Sequence, residues 1–307
     1  MKAMTYSAHG GSDQLTVDDI DLPVAGPGEA LVRVQAAGVN PVDVSVREGH
    51  LESVMPTTFP AVPGWDLAGV VEAVGEGVTT LVPGDEVWGY ARRDVVHQGT
   101  YANFAAVQVT SLGVRPAGLD VLAAGALPLV GLTALQALRA VRVGPGDTVL
   151  INNASGGVGH VAIQIARALG ATRVIGTAGE ANRDFVRSLG AEAAEYGTTL
   201  EQVVRTLVPA GLDAALDAHG GPGLDAAFAL VTDPSRVASI VDPGVAARGG
   251  QWVFCAPSTT DLEQLATWVD SGALTVAIEA VFTLADAAQA QDLVAAGHVR
   301  GKVVLEL

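Results

Sequence analysis

Residues Thr148 to Gly170, TVLINNASGGVGHVAIQIARALG, carry the most chemically specific spacing in the chain. Ala154, Gly156 and Gly159 form an A-x-G-x-x-G turn, a dinucleotide fingerprint whose first glycine is relaxed to alanine. Each small residue has a task. Ala154 keeps the turn tight, Gly156 lets the backbone approach a pyrophosphate, and Gly159 lets a helix pack closely on a strand. The free N–H groups from Ser155 through Gly157, Val158 and Gly159, with the dipole of the helix start, face a phosphate. Glycine-rich turns also simply reverse chains, so the context decides. An apolar run, Val149-Leu150-Ile151, precedes the turn, and Val161, Ile163, Ile165, Ala166 and Leu169 follow at a spacing that suits a buried helix. Gly170 is placed to stop that helix, and a second apolar segment, Arg173 to Ala178, follows at the distance expected of a βαβ unit.

Other side chains are candidates for chemistry. Asn40 precedes Pro41, which holds it extended; its amide suits a ligand carbonyl, and Asn-Pro equally starts turns. Asp43 fits a helix cap better than proton chemistry. Trp65 either lines a pocket or packs the core. Ala218-His219-Gly220 and Phe254-Cys255-Ala256 end apolar runs, where ligands of open α/β sheets bind. His219 is a possible proton donor or a cofactor neighbour. Cys255 has no basic neighbour in sequence and reads as a small buried apolar residue rather than a nucleophile. Tyr101 reads as a packing residue.

Around these lie the positioning elements. The first part, to about residue 115, has strand-like runs at Leu31–Ala36, Gly69–Gly75, Pro83–Gly89 and Gly99–Val109, punctuated by Gly and Pro. This suggests a compact barrel-like β domain. Strands and helices then alternate: strand 148–154, helix 157–169, strand 173–178, helix 180–189, strand 193–196, helix 200–208, strand 214–218, helix 223–231, strand 252–256, helix 261–271 and strand 275–282. That order predicts a doubly wound parallel sheet. A final helix, 284–296, and strand, 301–307, are expected to return to the first domain. The domains are thus expected at 1–118, 119–282 and 283–307.

Composition excludes several classes. A net charge of −16 without a Lys/Arg cluster argues against nucleic acid. One cysteine, Cys255, excludes a disulfide framework or a thiolate zinc site. It fits a reduced, cytoplasmic setting, and the N-terminal residues show no apolar signal core. The apolar run Val121–Leu138 contains Gly125, Pro128, Gly131 and Gln136 and reads as buried helices rather than a membrane span.

The whole chain resembles the medium-chain dehydrogenase/reductase superfamily, and within it the zinc-independent quinone oxidoreductase group. The matching segments are Gly38-Val39-Asn40-Pro41-Val42-Asp43, Pro63-Gly64-Trp65-Asp66-Leu67-Ala68-Gly69, Val82-Pro83-Gly84-Asp85-Glu86-Val87, Gly99-Thr100-Tyr101-Ala102, Gly131-Leu132-Thr133-Ala134, the fingerprint, and Gly301-Lys302-Val303-Val304-Leu305. The resemblance implies a GroES-like β-rich barrel domain, a Rossmann domain and a nicotinamide in the cleft between them. It also implies a homo-oligomer, usually a dimer.

Zinc-dependent relatives place a cysteine where Asn40 stands and a His-Glu pair where Trp65-Asp66 stand, so the resemblance implies no metal here. Thr133 matches the threonine that approaches the nicotinamide. Relatives often carry tyrosines where this chain has Ser45 and Leu51, which removes that proton donor. The end of the second Rossmann strand, Gly176-Thr177-Ala178-Gly179, lacks the acid that NAD-preferring sites use. By resemblance Arg183, with Thr177 and Tyr196, contacts a 2′-phosphate, although Glu180 is spaced to pair with Arg183. The expected function is NADPH-dependent hydride transfer to a small-molecule quinone or related conjugated carbonyl. The alternatives are reduction of an activated C=C bond, as in an enone or enoyl thioester, and a cofactor-binding protein with little turnover.

Overall fold

The computed structural model describes all 307 residues, and the chain divides into two compact units. The first comprises Met1–Leu129, Pro257–Asp270 and Val276–Leu307; the second comprises Val130–Ala256 and Ser271–Thr275.

The first unit is built on a sheet. Strands β1 (Lys2–Thr5) and β2 (Thr16–Asp19) pair with each other as a separate ribbon. Strands β3 (Glu29–Val39), β4 (Asp66–Val74), β5 (Glu86–Tyr90), β6 (Phe104–Gln108) and β7 (Leu112–Val114) belong to a seven-stranded sheet with two later strands. The central strand is β3, which is long and apolar and pairs antiparallel with both β4 and β6. Its end turns directly into α1 (Pro41–Arg47), where Pro41 takes the first helical position and costs no hydrogen bond. Apolar side chains of β3 to β7, among them Val32, Val34, Leu67, Val71, Val87 and Leu112, close one core.

Pro128 divides the run Val121–Leu138 into α2 (Val121–Ala126) and α3 (Pro128–Ala140), and no helix is long and apolar enough to cross a membrane. Gly99–Asn103 is a loop rather than the start of β6. Its backbone bonds to the preceding Pro63–Gly64 segment, and a Cβ on Gly99 would lie 2.2 Å from the Pro63 carbonyl oxygen.

The second unit is a parallel sheet. Its strands are β8 (Thr148–Ile151), β9 (Arg173–Thr177), β10 (Glu192–Ala194), β11 (Ala214–Asp217), β12 (Val237–Ser239) and β13 (Gln251–Trp252). They lie in the order β10-β9-β8-β11-β12-β13, so the sheet reverses direction of growth between β8 and β11. That reversal is the switch point at which such sheets bind ligands. The helices are α4 (Gly157–Ala168), α5 (Arg183–Ser188), α6 (Leu200–Leu207) and α7 (Pro222–Leu230). Leu150, Ile175, Leu200, Val204, Leu212, Leu224 and Val237 share one core. Gly170 adopts φ 105° immediately after α4, the left-handed stop that glycine supplies at little cost.

The chain then returns to the first unit through α8 (Thr259–Asp270), β14 (Ile278–Thr283), α9 (Ala287–Ala295) and β15 (Lys302–Glu306). β15 pairs antiparallel with β3, and β14 lies parallel to β15. Two expectations change here. The run 275–282 does not extend the Rossmann sheet but forms β14 at the edge of the other one. The run 252–256 is a strand only at its start, because both backbone polar groups of Ala256 bond to the Gln136 side chain instead of a ladder.

Candidate functional site

The glycine turn lies between β8 and α4. Asn153 is left-handed, with φ 59°, and its N–H donates to the Thr177 hydroxyl at 2.9 Å. Ala154 N–H donates to the Thr177 carbonyl at 2.8 Å, which locks the turn to the end of β9. Gly159 leaves no room for a side chain, because a Cβ there would lie 2.1 Å from the Asn153 carbonyl oxygen. Helix α4 begins at Gly156 without any side-chain cap. Like those of any helix start, its first-turn N–H groups have no intrahelical acceptor, and here no side chain caps them, which leaves them available to an anion. Ser155, Gly156, Gly157, Val158 and Gly159 line this start of the helix, with the Gly156 N–H already donated to the Asn153 carbonyl at 3.1 Å.

Beneath the turn runs a buried hydrogen-bonded belt that crosses the carboxyl ends of four strands. The Thr177 hydroxyl donates to Asn152 Oδ1 at 2.7 Å, and Asn152 Nδ2 donates to Asp217 Oδ1 at 2.7 Å. Asp217 also accepts the Ser239 hydroxyl at 2.8 Å and the Gly220 N–H at 2.9 Å. Helix α7 approaches so closely that a Cβ on Gly223 would fall 1.9 Å from Asn152 Nδ2. Asn152, Asp217 and Ser239 were not recognisable from the turn motif, because nothing local links three polar residues on different strands. The belt also corrects Thr177: the side chain is 1% exposed and its hydroxyl is committed to Asn152 and Asn153, so it offers no donor to a 2′-phosphate.

Past the ends of β9 and β10, Arg183, Glu195 and Tyr196 come together. Arg183 pairs with Glu195 at 2.9 Å, a partner that the helical spacing to Glu180 did not indicate. Tyr196 is exposed and lies against Gly179, where a built Cβ would meet its ring at 3.4 Å. His219 is exposed and donates its backbone N–H to Asp217 Oδ1 at 3.2 Å, and Ala218 is half-buried beside it. On α3, the Thr133 hydroxyl donates to Cys255 Sγ at 3.1 Å, and both side chains are buried. Ala256 is held by Gln136, while the Phe254 ring is exposed.

The remaining candidates sit in the first unit, inside a buried ionic network. Asn40 is 1% exposed, and both ends of its carboxamide are engaged. Its Nδ2 donates to Asp66 Oδ2 at 2.9 Å, and its Oδ1 accepts from Lys302 Nζ. Lys302 Nζ also donates to the Val39 carbonyl at 2.9 Å and lies 3.8 Å from Asp66. Asp66 Oδ1 accepts the Leu129 N–H at 2.7 Å. Asp43 accepts the Asn40 N–H and the Tyr101 hydroxyl, each at 2.9 Å, so it closes the first turn of α1. Trp65 is buried edge-on against Tyr90, with ring centroids 6.0 Å apart.

Burial raises the Asp66 carboxyl to about 7 and the Asp43 carboxyl to about 6, against the pull of the Lys302 ammonium. Burial pushes the Lys302 ammonium down and the Tyr101 phenol well up. Lys302 was absent from the expected site because its partner Asn40 is 262 residues away in sequence. No group of three or more His, Cys, Asp or Glu side chains is arranged to hold a metal ion. Asn40 and Asp66, already bonded to Lys302, Leu129 and each other, do not supply the donor set that zinc requires.

Two family models match parts of the chain. Residues 26–126 match the alcohol dehydrogenase GroES-like domain, and residues 189–305 match the zinc-binding dehydrogenase family. The NADPH-dependent alkenal/one oxidoreductase of Arabidopsis thaliana, a chloroplastic protein, is 32% identical over 99% of this chain and 79% of its own. A chloroplastic quinone-oxidoreductase homolog of Spinacia oleracea is 30% identical over 100% of this chain and 98% of its own. The solved quinone oxidoreductase of Coxiella burnetii superposes with a TM-score of 0.88 at 30% identity, covering 100% of this chain and 99% of that one.

The two plant relatives overturn the expectation of a plain cytoplasmic setting, since both are chloroplastic. A lone cysteine does not distinguish one compartment from another. With the fingerprint turn, the reversed parallel sheet and these full-length similarities together, the chain belongs to the quinone oxidoreductase group of the medium-chain dehydrogenase/reductase superfamily.

Proposed function

We propose that this protein is a zinc-independent, NADPH-dependent reductase acting on a quinone or a related conjugated carbonyl. The observation that carries this reading is the combination at the end of the parallel sheet. An uncapped helix start stands behind a glycine turn, no acid ends β9, and an arginine stands at the rim. The relatives support it, one by its NADPH-dependence and the other as a quinone-oxidoreductase homolog.

NADPH supplies the hydride when bound. The residues of the chain bind and orient it. The N–H groups at the start of α4 take the pyrophosphate, and the Arg183 guanidinium takes the 2′-phosphate. Thr133, with Cys255 behind it, supports the nicotinamide. Asn40, Asp43 and Trp65 serve as positioning residues on the substrate side, since the polar groups of Asn40 and Asp43 are spent inside the first unit and Trp65 is packed there against Tyr90. Catalysis then rests on orientation and hydrogen bonds to developing negative charge. Solvent protonates a quinol oxygen, so no dedicated acid is needed. Zinc-independence is supported by the donor set, an amide and a carboxylate committed to neighbours where three ligands would be required.

A second reading, C=C reduction, is favoured by the alkenal/one oxidoreductase relative. It requires a proton delivered to carbon. The exposed His219 suits that step better than Tyr101, whose hydroxyl is buried against Asp43.

The test is NADPH oxidation by the chelator-treated protein with an ortho-quinone, a para-quinone and a simple enone in parallel, and NADH as the control. Quinone turnover that survives chelation is expected. Turnover with the enone alone replaces the first reading with the second. NADPH binding without turnover on any acceptor removes the enzyme class.

A further inference from the structure

Arg183 is the first residue of α5 and follows the short 3-10 turn Glu180–Asn182. Its guanidinium is permanently charged and carries a fixed fork of donors. One terminal nitrogen is held by Glu195 Oε2 at 2.9 Å. Its Nε is buried and bonds to nothing, so the fork is only partly satisfied. Glu195 itself is open to solvent, with 66% of its side chain exposed against 28% for Arg183. Of the neighbouring acids, Asp184 pairs with Arg187 at 2.7 Å instead of with Arg183.

The pair stands where β9 and β10 end. Ala178 N–H donates to the Ala194 carbonyl at 3.0 Å, which fixes Glu195 and Tyr196 beside Gly179. This is where the adenosine ribose of a dinucleotide lies on a sheet of this topology.

We propose that Glu195 is a specificity-determining residue that competes with the 2′-phosphate for Arg183; this rests on the NADPH reading above. A phosphomonoester brings acceptor oxygens that the unsatisfied fork can use, but its negative charge meets the Glu195 carboxylate already there. NADPH therefore binds only as Glu195 swings off Arg183, and the exposure of Glu195 allows that movement. A ribose 2′-hydroxyl carries no charge and leaves the Arg183–Glu195 pair intact. Glu195 thus holds Arg183 in position in the free protein and narrows the margin by which NADPH is preferred over NADH.

The experiment measures binding of 2′,5′-ADP and of 5′-ADP to the full-length wild type, Glu195→Gln and, as a surface-charge control, Glu180→Gln. Removing one like charge at ion-pair distance is expected to tighten 2′,5′-ADP about tenfold in Glu195→Gln. Binding of 5′-ADP should stay within about twofold, and Glu180→Gln should match the wild type for both ligands. Unchanged 2′,5′-ADP binding in Glu195→Gln overturns the proposal. So does weaker binding, which makes Glu195 a support for Arg183 rather than a competitor. A wild type without preference for the 2′-phosphate, together with a Glu195→Gln variant that gains one, upholds the proposal and refutes NADPH as the preferred cofactor. A wild type that binds neither ligand refutes both.

Discussion

Gly159 and Gly156 sit three residues apart in one turn, and alanine at each should fail for a different reason. At Gly159 the new Cβ lies 2.1 Å from the Asn153 carbonyl oxygen and 2.7 Å from the Ala154 Cα. Ordinary contact begins near 3.4 Å, so turn and helix must separate by about 3.4 − 2.1 = 1.3 Å. Neither side yields easily. The turn is bonded to Thr177 through both Asn153 and Ala154, and Val161, Ile163, Ile165 and Ala166 of α4 are fully buried. Overpacking of this kind costs about 1–3 kcal/mol. It also displaces the phosphate-binding N–H groups, and a shift of about 1 Å is worth about a hundredfold in a positioned interaction.

At Gly156 the built Cβ meets only the Asn153 side chain, 2.9 Å from Nδ2, which can rotate away, and the backbone φ of −77° suits alanine. Stability should change by no more than about 1 kcal/mol. The methyl group nevertheless stands where the backbone must approach the pyrophosphate. Denaturant unfolding and NADPH fluorescence titration read the two effects separately. Gly159→Ala is expected to lose both stability and binding, and Gly156→Ala to lose at least about tenfold in binding alone. Wild-type stability in Gly159→Ala, or wild-type affinity in Gly156→Ala, refutes this account of the turn.

Lys302→Met should destabilise the protein by about 3–5 kcal/mol at pH 8, because it strands buried carboxylates without their cation. The sign of the pH dependence follows from the raised carboxyls. Between their unfolded value, 3.8, and about 6 for Asp43 or 7 for Asp66, the folded state holds more protons than the unfolded state, so stability falls as pH rises through that window. Without Lys302 both carboxyls rise further, so unfolding midpoints at pH 5 and pH 8 should differ more in the variant than in the wild type; equal differences would contradict it. Arg183→Glu should lower NADPH affinity by one to two decades, from about 1.5–3 kcal/mol of lost charge-assisted bonding, and move the preference toward NADH. An unchanged ratio of kcat/KM for the two cofactors would remove Arg183 from the 2′-phosphate site.

What the sequence made legible was local. The change from strand to helix period around Ala154–Gly159 and the stop at Gly170 depend on neighbours in the chain, and the structure places both there. Strand β12, only Val237–Ser239, has no flanking pattern long enough to mark it. Membership of a sheet was also hidden. The apolar alternation of β14 says that it is a strand, but its pairing with β15 is fixed by tertiary contact. The role of a polar side chain lies in its partners, which sit far away in sequence. Thr177 looked like a ligand contact until Asn152 and Asn153 claimed its hydroxyl, and Arg183 looked free to meet a phosphate until Glu195 met it first.

The two buried polar clusters stabilise their units in different ways. In the second unit Asp217 collects hydrogen bonds from Asn152, His219, Gly220 and Ser239, so one carboxylate fastens neighbouring strand ends and the loop beyond β11. Every one of those donors is an N–H or O–H dipole rather than a charged group. In the first unit the charge is met by another charge. Lys302 on β15 reaches the Val39 carbonyl and Asn40 at the end of β3, with Asp66 at the start of β4 beside it. One ammonium thus ties together strands that the chain visits far apart, and the strength of the tie depends on which neighbours are ionised. In the β-rich unit the burial-raised carboxyls of Asp43 and Asp66 make stability fall as pH rises toward about 6 and 7, and the same ionisation strengthens their attraction to Lys302, so the loss on removing Lys302 is largest above that window.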